Sequence, residues 1–262
     1  MRAVFWREGA LLCFFAAGAV AQAEWKIASS KPETSPNEKV AHWTTVVEEK
    51  GSGARATLHS AVFETGAATL QVIDQPKAPR CDLAEAMAGS DALAGVNGGY
   101  FDPEDAPVGL LVSRGRILSP LRKAKLLSGV LSARGNQIEI VRASHFKMNS
   151  KVQAAVQCGP LLVENANAVA GLNALRRARR TFAAVDGKGH VALGVSSAVS
   201  LAQLARILSL TDPLGEMKAV RALNLDGGSS SAFWFAGEEK NFSLPGAKTV
   251  RDFVAIVPRS DR

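Results

Sequence analysis

The feature that most constrains this 262-residue chain is its punctuation: short runs of β-branched and apolar residues are cut repeatedly by Gly, Asn and Asp. The pattern predicts strands over Thr44–Glu48, Arg55–Val62, Ala68–Asp74, Ala92–Val96, Val108–Ser113 and Gln137–Arg142. Further strands are expected over Leu161–Glu164, Thr181–Val185, His190–Val195, Arg221–Leu225, Ser231–Phe235 and Phe253–Val257. Asp186-Gly187-Lys188-Gly189 supplies the turn of a hairpin. Only two stretches carry helix signals. Asp82 with Glu85 caps Leu83–Ala88, which stops at Gly89, and Ser200 with Gln203 forms a capping box before Leu201–Leu210, closed by Asp212-Pro213. Many strands with few helices predict an α+β fold, a single domain with a mixed β-sheet of many short strands and a few packed helices, over residues 41–262. Residues 24–40, with Lys31-Pro32 and Ser35-Pro36, read as a flexible lead-in.

Ahead of that lead-in, residues 1–23 have the anatomy of a signal peptide. Arg2 and Arg7 precede an apolar run from Gly9 to Val20, and Ala21-Gln22-Ala23 offers a small-x-small cleavage site. The run is shorter than the ~20 residues that span a bilayer. The expected location is therefore periplasmic or secreted, with no stable membrane insertion after cleavage. In an oxidising compartment the two remaining cysteines, Cys81 and Cys158, are expected to pair as a disulfide. Neither they nor the four histidines have zinc-ligand spacing, so no metal and no cofactor is expected. The net charge of +7 is not gathered into one basic block, and aromatic residues are only 6%, which argues against a nucleic-acid partner.

Two segments share one logic. Leu223-Asn-Leu-Asp226-Gly227-Gly228-Ser229-Ser230-Ser231 runs from an apolar strand to a carboxylate, a glycine pair and hydroxyls. The glycines let backbone N–H groups approach an oxyanion, and Asp226 is placed as acid, base, nucleophile or sugar ligand. An acidic turn with solvated serines is the alternative. Val96-Asn97-Gly98-Gly99-Tyr100-Phe101 repeats the strand, polar residue and glycine pair, and Tyr100 offers a face for a sugar ring. Third, Arg176-Arg177-Ala178-Arg179-Arg180-Thr181 supplies guanidinium forks for a phosphate or carboxylate, Arg180 being the one held by an adjoining strand. Gln157, in the turn Gln157-Cys158-Gly159-Pro160, reads as a turn residue that satisfies backbone groups, with a ligand contact as the alternative. GxSxG, GxxxxGK[ST] and HExxH motifs are absent.

In this order, from about Leu58 to Pro258, the segments resemble the phosphodiester glycosidase family. The likeness rests on Gly95–Phe101, Pro107–Leu111, Gln157–Leu162, Arg180-Thr181, Leu201–Leu210, Asn224–Ser230 and Arg251 in VRDFVAIVP. The resemblance implies hydrolysis of a sugar-1-phosphodiester at the anomeric carbon, on a sugar-phosphate or glycan substrate of the cell envelope or outside the cell. It places Asn97, Arg180 and Asp226 in catalysis, with Gly98, Gly99, Tyr100, Thr181, Gly227, Gly228, Ser229 and Ser230 in substrate binding. A non-catalytic polysaccharide-binding protein of envelope or exopolysaccharide assembly is the competing class. Intact-mass analysis of the protein from its native host should give a chain beginning at Glu24; a mass that retains Met1 would refute the cleavage.

Overall fold

Along the strand Ala178–Val185 the side chains divide by parity. Ala183 and Val185 enter one buried apolar cluster, and Phe182 and Ala184 enter another. This two-residue alternation, repeated through the chain, builds the molecule in layers. The computed structural model describes residues 24–259; the expected signal peptide, 1–23, lies outside them.

Three antiparallel sheets carry the fold. The first orders Trp25–Thr34, Val40–Glu49, Arg55–Glu64, His190–Val199, Ala178–Val185, Arg221–Asn224, Leu161–Glu164 and Asn167–Ala168. The second orders Arg116–Ser119, Leu111–Ser113, Val152–Cys158, Gly129–Arg134 and Gln137–Arg142. The third orders Phe242–Leu244, Phe233–Phe235, Ala94–Asn97, Asp252–Pro258 and Ala68–Asp74. One central core takes side chains from all three, among them Phe63, Leu193, Leu131, Val156, Val96 and Ile256. The two helices seal outer faces. Helix α1 (Leu83–Ala88) sets Leu83 and Met87 against Trp234 and Phe253 on the third sheet. Helix α2 (Leu201–Leu208) sets Leu204 and Leu208 against Phe182 and Leu162 on the first. No helix of the described residues is long and apolar enough to cross a membrane.

Local signals placed several elements to the residue. Asp82 accepts the Glu85 N–H at 2.9 Å, and Ser200 and Gln203 close a reciprocal capping box. Asp186 accepts N–H groups from Lys188 and His190 across the hairpin turn.

Four expectations need correction. The many strands and few packed helices are as expected, but the architecture is mainly β with two helices, and every paired strand among the described residues is antiparallel where a mixed sheet of an α+β fold was expected. Residues 24–40 are no flexible lead-in, since Trp25–Thr34 is an edge strand paired residue by residue with Val40–Glu49. An edge position tolerates Pro32 and needs little apolar pattern, while buried Trp25 anchors the strand. Helix α2 ends at Leu208 because Ser209 turns its hydroxyl and N–H back onto the last carbonyls. Finally, Cys81 and Cys158 are free thiols. Cys158 lies in the central core, whereas Cys81 borders the cluster on the other side of the third sheet and hydrogen-bonds Gln75.

Phe182 pairs across the sheet with Gly194, whose missing side chain leaves space for the ring: a Cβ there would stand 2.6 Å from it. Phe182→Ala should cost about 3–5 kcal/mol, and Ser200→Ala about 0.5–2 kcal/mol. Urea unfolding monitored by tryptophan fluorescence measures both, and equal small losses would contradict this account of the core.

Candidate functional site

The two glycine-pair turns meet because the strands that lead into them end side by side. Asn97 closes its strand in the third sheet, and Asp226 follows Arg221–Asn224 of the first. The Asp226 N–H donates to Gly98 O at 3.1 Å, and Asn97 Nδ2 donates to Asp226 O at 2.7 Å. Asn97 Oδ1 in turn accepts from Thr181 Oγ1 at 2.7 Å and from the Ala232 N–H at 3.1 Å. Asn97 is wholly buried, so it positions the Asp226 turn and presents nothing to solvent. Thr181 is buried in the same way, shared between Asn97 and Ser231.

Asp226 itself is half-buried. Its Oδ1 accepts the N–H of its own neighbour Gly227 at 2.9 Å. Burial pushes the carboxyl above the usual carboxylate range, against the Ser230 hydroxyl, the Lys248 ammonium and the Gly227 N–H, which favour the charged form. The Ser230 hydroxyl is buried near it without an aligned hydrogen bond, and Ser229 is exposed at the rim. Gly228 has φ +69° with open space where a side chain would project, so a glycine both permits this turn and keeps its approach clear.

Arg180 runs along the other flank, its Cδ 3.7 Å from where a Gly227 Cβ would be. Nε donates to Val199 O and Nη2 to Arg176 O, which fixes the fork. Only 9% of Arg180 is exposed, and it has no carboxylate partner among the described residues. Burial, then the Arg176 charge, lowers its pKa, while the nearby Tyr100 hydroxyl acts the other way. Tyr100 donates to Gly159 O at 2.6 Å and accepts from Asn224 Nδ2 at 3.0 Å; burial pushes its phenol up. The structure thus brings Asn97, Arg180 and Asp226 to one place, with Tyr100 beside them. The other arginines diverge: Arg179 donates to Pro245 O and Arg177 to Ala198 O. Gln157 serves the backbone, as expected, through Leu110, Arg122 and Leu127.

Three residues at this place were given no role by the sequence reading, Ser231 among them although it closes the Leu223–Ser231 segment. Lys248 lies near Asp226 and over the Phe101 ring at 4.6 Å, on a loop whose Ala247 N–H binds Ser229 O. Ser231 completes the Thr181 network. Asp252 is the third. Fully buried, its Oδ1 accepts the Gly99 N–H at 3.1 Å, and its Oδ2 has no partner. A Cβ on Gly98 would stand 1.8 Å from that Oδ1, so the glycine is what admits the carboxyl. Burial raises Asp252 to about 7, with Asp74 and Asp226 adding repulsion against the Gly99 N–H and Arg251. The residue that did draw notice, Arg251, ties Asp74 and Asp105 O together. An acid opening the apolar strand DFVAIVP was the available signal.

Asp252 predicts a pH dependence with a definite sign. Its folded pKa lies above the unfolded value, so its contribution is complete below about pH 4 and is lost as pH rises to about 7. Asp252→Asn keeps the acceptor for Gly99 but cannot ionise. The stability of wild type relative to this variant should fall across that window by roughly 4 kcal/mol. Urea midpoints from pH 4 to 8 measure it, and a constant difference would exclude a buried acid.

The sequence profile of the phosphodiester glycosidase family matches residues 90–257, which include both glycine-pair turns, Arg180 and Asp252. The Escherichia coli (strain K12) protein YigE is 33% identical over 90 residues, 32% of this chain and 35% of that protein, so the match spans about a third of the relative's length. Among solved structures, a hypothetical protein from Synechocystis superposes with TM-score 0.65 at 15% identity, over 91% of this chain and 68% of that one. The catalytic domain of zebrafish N-acetylglucosamine-1-phosphodiester alpha-N-acetylglucosaminidase, auto-inhibited by its pro-peptide, superposes with TM-score 0.62 at 13% identity, over 88% of each chain. At such identities the superpositions speak for the fold, and the profile match covers well over half of the sequence: the chain belongs to the phosphodiester glycosidase family.

Proposed function

We propose that this protein is an exported hydrolase that cleaves a sugar-1-phosphodiester at the anomeric carbon, acting on glycans of the cell envelope or outside the cell. The carrying observation is Arg180, a guanidinium buried beside the Asp226 turn with no carboxylate partner among the described residues. A buried cation without a counter-ion is costly, and an anionic ligand offsets that cost. A phosphodiester supplies such an anion next to a carboxylate. The activity for which the zebrafish protein is named supports the same reaction class. The signal-peptide pattern of residues 1–23 supports export.

In this mechanism Arg180 holds the phosphodiester through the guanidinium edge not committed to Val199 and Arg176. Water adds to the anomeric carbon, the bond from that carbon to the bridging oxygen breaks, and the phosphomonoester leaves with that oxygen. Phosphate is a good leaving group, so the chemistry places more weight on the carboxylate than on a general acid. Asp226 serves as that carboxylate, either taking the proton of the attacking water or facing the developing oxocarbenium ion. Lys248 favours its charged form, against the burial that raises its pKa. Asn97, Thr181 and Asp252 act through the backbone of the two turns.

Arg180→Lys keeps the charge and loses the planar fork, so the phosphodiester kcat/KM should fall roughly 10- to 150-fold, the loss of one charge-assisted hydrogen bond. Asp226→Asn should lower kcat far more than it weakens binding. Hydrolysis in ¹⁸O-water should place the label on the sugar and none on the phosphate. Equal kcat/KM per folded molecule in wild type and Asp226→Asn would remove Asp226 from the chemistry, and label in the phosphate would reject cleavage at carbon.

A further inference from the structure

The second sheet and its loops carry a surface that the candidate site does not use. Between Val108 and Lys151 the chain has nine lysines and arginines and one acid, Glu139, a local balance of 9 − 1 = +8. The whole chain is +7, so everything else sums to 7 − 8 = −1. No more than two cations are consecutive in this stretch, which is why the charge looks dispersed in the sequence. Within it only Arg134 and Arg142 have acidic partners among the described residues, Glu139 and Glu164.

Apolar exposure is concentrated in the same stretch of chain, and the two coincide in space at the loop from Leu121 to Leu127. Of seven large hydrophobic side chains exposed among the described residues, six lie between Val108 and Lys151. Leu126 is 70% exposed, Ile117 55% and Leu121 40%. Leu121 and Leu126 bracket Arg122, Lys123 and Lys125 on a loop that has no regular secondary structure but is not loose. Gln157, buried in the neighbouring strand, accepts the Arg122 N–H at 3.0 Å and donates to Arg122 O at 2.7 Å and Leu127 O at 3.0 Å. The backbone is pinned from below and the side chains face outward. Beside the loop, a cavity of about 420 Å³ is floored by Leu127 and Phe146 and rimmed by Arg122, Lys123 and Lys125.

We propose that this face docks the protein on a bilayer bearing anionic phospholipid. Unpaired cations meet the headgroup phosphates, and Leu121 and Leu126 enter the acyl boundary. Two properties favour a lipid surface over a soluble polyanion. The leucines flank the cations on one loop, and the cavity floor beside them is apolar. The docking loop also abuts the candidate site: a Cβ on Gly159, whose carbonyl accepts from Tyr100, would stand 2.2 Å from Leu126 O. A docked molecule therefore holds that site close to the lipid surface. The docking itself does not depend on which reaction the site performs.

The test is vesicle flotation at low salt, using chains that all begin at Glu24 so that the apolar run Gly9–Val20 adds no binding of its own. Wild type should float with 30% phosphatidylglycerol in phosphatidylcholine, remain behind with phosphatidylcholine alone, and be released by salt. Arg122→Glu/Lys123→Glu/Lys125→Glu should weaken binding on the order of 100-fold. Leu121→Ser/Leu126→Ser should weaken it at unchanged charge. Lys31→Glu/Lys77→Glu/Lys188→Glu, exposed cations elsewhere with the same change in net charge, should retain most of it. Melting temperatures close to wild type for each variant show that these comparisons are made between folded proteins. Equal loss in the two triple variants would reduce the effect to net charge and overturn the proposal. So would an undiminished Leu121→Ser/Leu126→Ser variant, or capture by a soluble polyanion such as heparin without binding to vesicles.

Discussion

The neutral amide of Asn97 is the most connected link between the two halves of the candidate site, beside the Asp226 N–H to Gly98 O bond and the Asn224–Tyr100 contact. It joins the third sheet to the Asp226 turn, to the Thr181 hydroxyl of the first sheet and to the Ala232 N–H. The job requires a donor and an acceptor on one planar group. Aspartate would have no hydrogen to give the Asp226 carbonyl and would set a second charge near its carboxylate. Leucine would fill the volume but strand a hydroxyl, an N–H and a carbonyl in the interior, each at a cost of about 1–3 kcal/mol. The position of Asp226, and with it the distance to Arg180, follows from this amide.

What the sequence disclosed divides along the range of the forces involved. The Asp82 and Ser200 caps, the Asp186 hairpin and the two glycine-pair turns are short-range devices, each written within a few consecutive residues, and each was legible. The strand Trp25–Thr34 was not, because an exposed edge strand is held by backbone pairing and shows no apolar alternation. Gly129–Arg134 and Val152–Cys158 escaped for the opposite reason. Their residues are nearly all buried, so they lack the polar beat that distinguishes a strand. The cysteines misled because export and number suggested a pair, whereas a whole sheet separates their surroundings.

The site shows the same division. Asp226 and Arg180 stood beside glycine or within a cationic cluster, and their type and setting drew notice. Lys248, Ser231 and Asp252 depend on chain crossings of long range, which the local marks at Ser231 and at the acid opening DFVAIVP do not reveal. Among the four arginines near the third motif, backbone parity makes the difference. Arg179 and Arg180 leave opposite faces of one strand, so only Arg180 turns toward Val199 and the Arg176 carbonyl, while Arg179 reaches Pro245. Composition offers a cluster of guanidinium groups; the alternation of a strand selects one.

The contact between Gly98 and Asp252 has a consequence for how sequences of this kind can drift. The carboxyl occupies the volume that any side chain at 98 would need. Neither residue is therefore free on its own: a larger residue at 98 is admissible only after 252 has become smaller, and a smaller 252 leaves the Gly99 N–H without its acceptor. The two positions form a lock whose parts must be exchanged in a set order, and the exchange passes through a state with an unmet buried N–H. Chains that retain the pair are held there by the lack of a smooth path away, whatever the reaction at the neighbouring carboxylate.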